Sequence, residues 1–216
     1  TDSASRLLCE SCESLRQEGY DTVIGMPFSS PGLYEKVCSE ILNLQPEILL
    51  FVRNIAELVF DLPNQDTRTW SVEGDAETAM VLENEEPLGI WQVFSKEGVV
   101  PEEYLESEEA APTRYQVTVA VPERQNGDEL ASTCLYSYFP TAISVPLPVV
   151  CHATLELEQN RNHLASVRSN SFVLKWLQEH LACTAERRAE KYPSGINGGF
   201  RVTKPLGDFP ADLDRA

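Results

Sequence analysis

A chain of 216 residues is long enough to bury a core without disulfides, and its net charge of −17 limits the partners that it can take. Nucleic-acid binding and docking on anionic lipid both need a face rich in Lys and Arg, so neither a nucleic acid nor a membrane surface is expected as a partner. No apolar run approaches the roughly 18 residues of a membrane span, and the N-terminal stretch lacks the basic and apolar regions of a signal peptide.

The first predicted element is an amphipathic helix over residues 4–17, which contains the lone C-x-x-C pair Cys9 and Cys12. Leu8, Cys12 and Leu15 share one helical stripe, which favours helix core over a metal or redox site. No metal site is expected, because the pair has no further Cys or His ligands nearby in sequence. The six cysteines of the chain permit disulfides by number, but they are more typical of small buried hydrophobes with reduced thiols in a cytoplasmic protein.

A strand, a capped helix and a second strand are predicted next. Residues 21–28 are β-branched or apolar up to a proline, which predicts a strand. Ser30 stands in the capping position of a helix whose first residue is Pro31, where the missing N–H costs nothing. Residues 46–54 predict one or two helical turns, and residues 55–62 predict a strand.

The middle of the chain has the pattern of an antiparallel meander. Residues 67–74, 77–83 and 89–96 are three strand-like runs, each bounded by Gly, Asn, Asp or Pro. Residues 101–112 carry five glutamates and no basic residue, which is typical of a solvated loop or short helix. Residues 114–122 alternate cleanly and predict a strand with one buried face.

The last third of the chain predicts two strands and a long helix. Residues 136–141 have the pattern of a strand running into a turn, and residues 149–158 alternate as a strand whose His152 faces outward. Residues 171–190 form the strongest helical pattern, with His180 on its buried stripe. A Gly- and Pro-containing stretch after them cannot continue that helix.

This order of elements predicts an α+β fold, in which an antiparallel or mixed sheet carries helices on one face. The chain has neither of the glycine-rich loops that cradle phosphates and no nucleophile elbow. The isolated chain is therefore not expected to be catalytic. One feature is unusual for so acidic a protein: Asn160 and Arg161 stand where an alternating strand stops, close to His163.

Two segments resemble sacsin and its bacterial relatives. YDTVIGMPFSSPGLYEKVCSEILNLQPEILLFVRNIAELVFDL (20–62) is similar to the strand, helix and apolar segment that follow the nucleotide-binding module of that family. Asp21 and Gly25 depart from the family's usual Gly and Arg. PLPVVCHATLELEQNRNHL (146–164) resembles a later signature of the family, through Pro146, Pro148, His152, Leu155, Asn160 and Arg161. Residues 63–133 match the family poorly.

The resemblance places the chain among the GHKL ATPases, with the ninety-kilodalton heat-shock chaperone, gyrase B and MutL. It implies a two-layer α/β sandwich, the middle domain that follows the ATPase module. In that group a basic residue on a middle-domain loop reaches the terminal phosphate of the nucleotide. LEQNRNHLA (157–165) has Arg161 at the matching position, flanked by Asn160 and His163, while Ala165 stands where the chaperone has Gln. The alternative for Arg161 is an ordinary surface ion pair.

The resemblance also implies a domain organisation and a set of partners. Residues 1–19 form a helix at the junction with an ATPase module outside this chain, residues 20–190 the middle domain, and residues 191–216 a tail or linker. The start at Thr1 agrees with a piece of a longer protein. ATP and Mg²⁺ would be bound by the upstream module, with no cofactor in this fragment, and client proteins and a second copy of the chain are further candidate partners.

A different class of function is also compatible with the sequence. The chain is then a non-catalytic protein-interaction domain of a larger multidomain protein, in which Arg161 has no catalytic role. Tyr138, Phe139 and Trp91 are the apolar residues expected at its surface in that case.

Overall fold

A computed structural model of the chain describes residues 2–24, 27–52, 54–62, 64–106, 113–123, 133–159, 163–193 and 198–208. The chain divides into two compact units, Thr1–Leu44 and Gln45–Ala216. This division falls later than the boundary that the sequence suggests after residue 19.

The first unit begins with helix α1, Asp2–Gln17, which confirms the predicted N-terminal helix. The helix ends in a Schellman motif. Gly19 takes a φ of +102°, a conformation that glycine adopts without strain, and the Tyr20 N–H donates to the Leu15 carbonyl at 3.2 Å. The turn therefore satisfies a carbonyl that the helix leaves without an internal donor.

The second helix of this unit, α2, spans Pro31–Leu42 and starts as predicted. The Ser30 Oγ accepts the N–H of Leu33 at 3.3 Å, with proline at the first helical position. The strand predicted over residues 21–28 is wrong for the residues that the structure describes there, since 21–24 and 27–28 have no strand geometry and Gly25 and Met26 lie outside the described residues. A strand needs a hydrogen-bonded neighbour, which no described part of the unit supplies.

The second unit is an α+β fold built on a mixed sheet of eight strands. The strands are β1 (Glu57–Phe60), β2 (Arg68–Gly74), β3 (Thr78–Glu83), β4 (Glu86–Val99), β5 (Arg114–Pro122), β6 (Thr133–Ser137), β7 (Phe139–Val145) and β8 (Val150–Ala153). Their order in the sheet is β1-β2-β3-β4-β5-β8-β6-β7. All neighbours are antiparallel except β6 and β8, which are parallel.

The predicted meander is confirmed in β2, β3 and β4. The turn between β3 and β4 places Asn84 at φ +50° and Glu85 at φ +70°, the type I′ geometry whose twist matches that of the flanking strands. The stretch predicted as a strand running into a turn is instead a tight hairpin. Tyr138 alone separates β6 from β7, at a φ of +61°, and the chain continues directly as a strand.

Helices α3 (Arg168–Lys191) and α4 (Gly199–Val202) complete the described fold, with 3₁₀ segments at Pro46–Leu50 and Glu102–Tyr104. The predicted helix over 171–190 is confirmed and is a few residues longer. Within the stretch expected as a tail or linker, α4 packs on α3, with Val202 buried. The Leu206 N–H donates to the Pro146 carbonyl at 2.8 Å, so this part of the tail is held on the unit.

The main core lies between α3 and one face of the sheet. The predicted apolar face of β5 is confirmed, because Tyr115, Val117, Val119 and Val121 are all buried and pack in one cluster with Leu177 of α3. The expectation of a single buried face is wrong, since Thr118 and Ala120 on the other face are buried too. Burial of these side chains accounts for the docking of α3 on the sheet, at about 1.5–3 kcal/mol for each large apolar side chain removed from water.

The opposite face of the sheet is covered by the 3₁₀ segment Pro46–Leu50 and by Phe51. Ile48, Leu49, Leu50 and Phe51 are all at most 5 % exposed. Trp91, expected at the surface under the interaction-domain alternative, is buried with 6 % exposure, which corrects that expectation. Trp91 stands opposite Ala79 in the register, so it lies in the interior of the sheet rather than at an edge.

The cysteines are less buried than the sequence pattern predicts. All six are free, but Cys151 alone is buried, while Cys9 and Cys183 are exposed. Exposure follows from helix geometry, because a cysteine on the solvent side of a helix cannot reach the core whatever its own hydrophobicity.

Candidate functional site

We define the return loop as residues 158–163, of which the structure describes 158, 159 and 163. Leu157 and Leu164 form an antiparallel bridge across its base. The Glu158 N–H donates to the His163 carbonyl at 3.1 Å, and the Ala165 N–H donates to the Glu156 carbonyl at 3.0 Å. Backbone hydrogen bonds therefore close the loop at both ends.

A single buried side chain, Asn170, anchors the base of the return loop to the first turn of α3. Its Oδ1 accepts the Glu156 N–H at 2.9 Å, and its Nδ2 donates to the carbonyls of Glu156 and Ala165, each at 2.8 Å. Asn170 is 4 % exposed, so these bonds are shielded from water. Because the carboxamide contacts both ends of the loop, it sets the spacing between them.

The side chains of two further residues fix the start of α3, the helix that carries Asn170. The Ser169 Oγ donates to the Glu156 carboxylate at 3.1 Å. The Arg168 guanidinium donates to the Glu103 carbonyl at 2.9 Å and also to the Leu105 carbonyl, which ties the helix to the second 3₁₀ segment. The return loop therefore starts and ends on a rigid support.

The structure describes one of the three predicted site residues. His163 is exposed, and its carbonyl takes part in closing the return loop. Asn160 and Arg161 lie outside the described residues, so their predicted role stays a prediction. Asn170, which the sequence reasoning missed, was detectable only as a polar residue in the first turn of the long helix.

His152 is not on the outside of its strand, as predicted, but is completely buried. Its ring stacks on Phe51 at 5.3 Å between centroids and lies 4.9 Å from the Tyr138 ring, while its Nδ1 accepts the Tyr138 N–H at 3.2 Å. The prediction failed because it took that face of the sheet to be solvated, whereas Phe51 covers it. His152 thus supports the β6–β7 turn.

His180 is half-buried on α3, and its Nε2 lies 3.0 Å from the Phe94 carbonyl. Burial lowers the pKa of His180, the hydrogen bond to Phe94 opposes that shift, and the positive charges of Lys96 and Arg187 add to it. The residue is therefore neutral at physiological pH and joins the helix to β4, in agreement with its predicted place on the buried stripe.

Two further titratable side chains lie on β6, those of Cys134 and Tyr136, and both are influenced by the charge of Glu47. Burial raises the pKa of Cys134, of Tyr136 and of Glu47. A thiol nucleophile needs the opposite, an environment that lowers its pKa. These side chains are therefore suited to packing rather than to nucleophilic catalysis.

Within the described part of the chain, no group of three or more His, Cys, Asp or Glu side chains is placed to hold a metal ion. Among the described helices, none combines the length and apolarity needed to cross a membrane. No protein-family model, curated protein or solved structure matches the chain.

Proposed function

We propose that the chain is the middle, or transducer, domain of a sacsin-like, chaperone-type GHKL ATPase. It couples ATP hydrolysis in an upstream module to conformational change or to client binding. ATP and Mg²⁺ are bound by that module, and this chain supplies Arg161 to the terminal phosphate. Arg161 has the catalytic role in this proposal, with Asn160 and His163 beside it in the return loop.

The observation that carries the proposal is the closed and anchored base of the return loop. A residue that acts on a neighbouring domain's phosphate must be held on rigid elements, because misplacement by about 1 Å costs much of the rate. The bridge between Leu157 and Leu164 and the bonds of Asn170 provide such a support on either side of Arg161 in sequence. In the proposal, the guanidinium of Arg161 stabilises the charge that develops during phosphoryl transfer.

A second observation concerns residues 20–28, which have a strand-like sequence but no strand geometry in their described part. Ile24 is 79 % exposed there, an unusual environment for a β-branched apolar residue. Under the proposal, this segment is the last strand of the upstream module and pairs with a sheet outside this chain.

The α+β fold also supports the proposal, since the resemblance implies a mostly antiparallel or mixed sheet with helices on one face. Seven pairs of neighbouring strands form the sheet, six of them antiparallel, and α3 packs on one face through β5 and β8.

The alternative is a non-catalytic interaction domain, and one observation favours it. Tyr138 is 44 % and Phe139 53 % exposed, so two adjacent aromatic side chains stand at the β6–β7 turn next to the last strand of the sheet. Exposed aromatics at a sheet edge are typical of a protein-binding surface.

The experiment that tests the proposal is Arg161→Ala in the longest native form of the protein that carries the upstream module. We expect kcat for ATP hydrolysis to fall by up to about 10³-fold, the low end for arginine fingers, because Ala165 replaces the second phosphate contact. KM should change little, since the contact forms mainly in the transition state. The proposal assigns Arg161 no role in folding, so the free energy of unfolding should change by at most ~0.5 kcal/mol.

Two controls define the result. Arg161→Lys should restore only part of the rate, because a point charge cannot reproduce the guanidinium fork. Arg114→Ala, which removes an exposed arginine from β5, should leave kcat unchanged. A wild-type rate for Arg161→Ala would favour the interaction domain, and an unfolded variant by circular dichroism would make Arg161 structural.

A further inference from the structure

A pocket of about 140 Å³ lies between the last turns of α3 and the strands β3 and β4. A single water molecule needs only about 10–15 Å³ on the same measure, so the pocket has room for a small polyatomic ligand. Three cationic side chains of α3 line it: Arg187, Arg188 and Lys191. From the sheet side, Glu77, Thr78 and Gln92 contribute to the lining.

Among the cationic side chains of this pocket, Arg188 is the one whose orientation is fixed by burial and a hydrogen bond. It is 1 % exposed, and its Nη1 donates to the Gln92 Oε1 at 2.5 Å. Gln92 is held in turn, because its Nε2 donates to the Glu123 carboxylate at 2.8 Å. The guanidinium carbon also lies 5.2 Å from the ring centroid of Tyr192. The guanidinium is therefore oriented before any ligand arrives.

The guanidinium of Arg188 also keeps its charge. Burial lowers the pKa of Arg188, while Tyr192 and Glu123 act in the opposite direction. An arginine stays protonated in proteins even when its pKa is lowered, so the buried group is a permanent cation.

The lining has three positive charges against one carboxylate, that of Glu77, in a chain whose net charge is −17. Within the described residues, neither Arg187 nor Lys191 has a carboxylate oxygen within 4.0 Å. The C-terminal end of a helix dipole repels an anion, but its effect equals only about half an elementary charge. When the Glu123 carboxylate that accepts from Gln92 is counted as well, the cationic side chains still exceed the carboxylates by one, which outweighs the dipole.

We propose that this pocket binds a tetrahedral oxyanion of the phosphate class, either free phosphate or the phosphate of a monoester. Arg187 and Arg188 supply guanidinium forks that match phosphate oxygens, and Lys191 supplies a point charge. Thr78 supplies a hydroxyl donor, and Gln92 positions Arg188. The site is separate from the return loop, and its existence does not depend on the role of Arg161.

The competing explanation assigns the three cations to α3 alone, since basic residues near the C-terminal end of a helix, such as Arg188 and Lys191 in its last turn, stabilise the helix dipole. That explanation predicts no preference for phosphate over any other anion. The two explanations therefore differ in a measurable quantity, the specific affinity for phosphate.

The test is isothermal titration calorimetry of inorganic phosphate into the whole chain, with sodium chloride at equal ionic strength as the reference. We expect saturable binding of phosphate and none of chloride. The double variant Arg187→Gln/Lys191→Gln alters two exposed side chains, so it should fold normally, and it should weaken phosphate binding at least tenfold.

The matched control is Arg114→Gln/Lys175→Gln, which removes two exposed positive charges outside the pocket and should leave the affinity within twofold of the wild type. O-phosphoserine distinguishes the sources: tighter binding than inorganic phosphate assigns the site to a monoester, and equal or weaker binding assigns it to free phosphate. Phosphate that binds no better than chloride overturns the proposal. It is also overturned if the double variant binds phosphate as tightly as the control variant does.

Discussion

At the scale of single residues, Asn170 shows how one side chain can connect three parts of a chain. Its carboxamide has both a donor and an acceptor group, and it uses both on the backbone at Glu156 and Ala165. Neither serine nor aspartate offers the same combination at the same reach. The spacing of the two ends of the return loop therefore depends on this residue type.

The first prediction follows from that geometry. Asn170→Ala removes three partly buried hydrogen bonds between its carboxamide and the backbone, and we expect the free energy of unfolding to fall by about 1–3 kcal/mol, measured by urea denaturation. Asn170→Asp should destabilise the protein at least as much, because its second oxygen would face the carbonyls of Glu156 and Ala165.

Ser171→Ala is the control, since Ser171 is exposed on the same turn of α3 and its loss should change stability by less than about 0.5 kcal/mol. Wild-type stability for Asn170→Asp would show that the donor bonds contribute nothing.

At the scale of elements, strand β4 and its partner β5 explain how a glycine is accommodated in a long strand. Gly98 stands opposite Tyr115, whose ring lies over the glycine. Tyr115 is buried, and it makes an edge-to-face contact with Phe172 at 5.4 Å and stacks with Trp176 at 6.3 Å. The absence of a Cβ at Gly98 thus allows an aromatic cluster to form between the sheet and α3.

The second prediction compares two glycines of the same strand. A Cβ at Gly98 would come within 2.7 Å of the Tyr115 ring, so Gly98→Ala should cost about 1–3 kcal/mol by overpacking. A Cβ at Gly89 would meet Trp91 at an ordinary 3.5 Å, so Gly89→Ala should be neutral or slightly stabilising. Thermal denaturation of both variants measures the difference, and equal melting temperatures would contradict the role of the Tyr115 ring.

At the scale of the whole molecule, the sheet of the second unit is covered on both faces. Helix α3 covers one face through β5 and β8, and the segment Pro46–Leu50 with Phe51 covers the other. Residues of both faces are therefore buried in the central strands. Cys151 and His152, neighbours on β8 that point to opposite faces, are both buried.

The third prediction uses Cys151 as a reporter of global unfolding. It is buried, and burial raises the pKa of its thiol to about 12, so the reactive thiolate is scarce in the native state. Cys9 and Cys183 are exposed and should react first with a thiol reagent. Mass spectrometry of labelled peptides should find Cys151 modified only at the rate of unfolding, and rapid native labelling of Cys151 would contradict the described core.

Elements with a local signal were predictable from the sequence alone. Apolar periodicity predicted β5 and α3, the turn residues predicted the meander, and Ser30 with Pro31 predicted the start of α2. These predictions agree with the structure because a cap, a turn or an alternating strand depends on residues only a few positions apart.

Features that depend on contact between distant segments became visible only in the folded chain. His152 is buried because Phe51 covers the sheet face that the alternation of β8 left open to solvent, and Trp91 is buried in the interior of the sheet, between β3 and β5. Asn170 meets Glu156, and Arg188 meets Gln92, across separations of 14 and 96 residues. Periodicity indicates which side of an element is apolar, but it carries no information on which other element will cover the remaining side. The packing of distant elements therefore determines where Asn170 meets the return loop and where the pocket beside Arg188 forms.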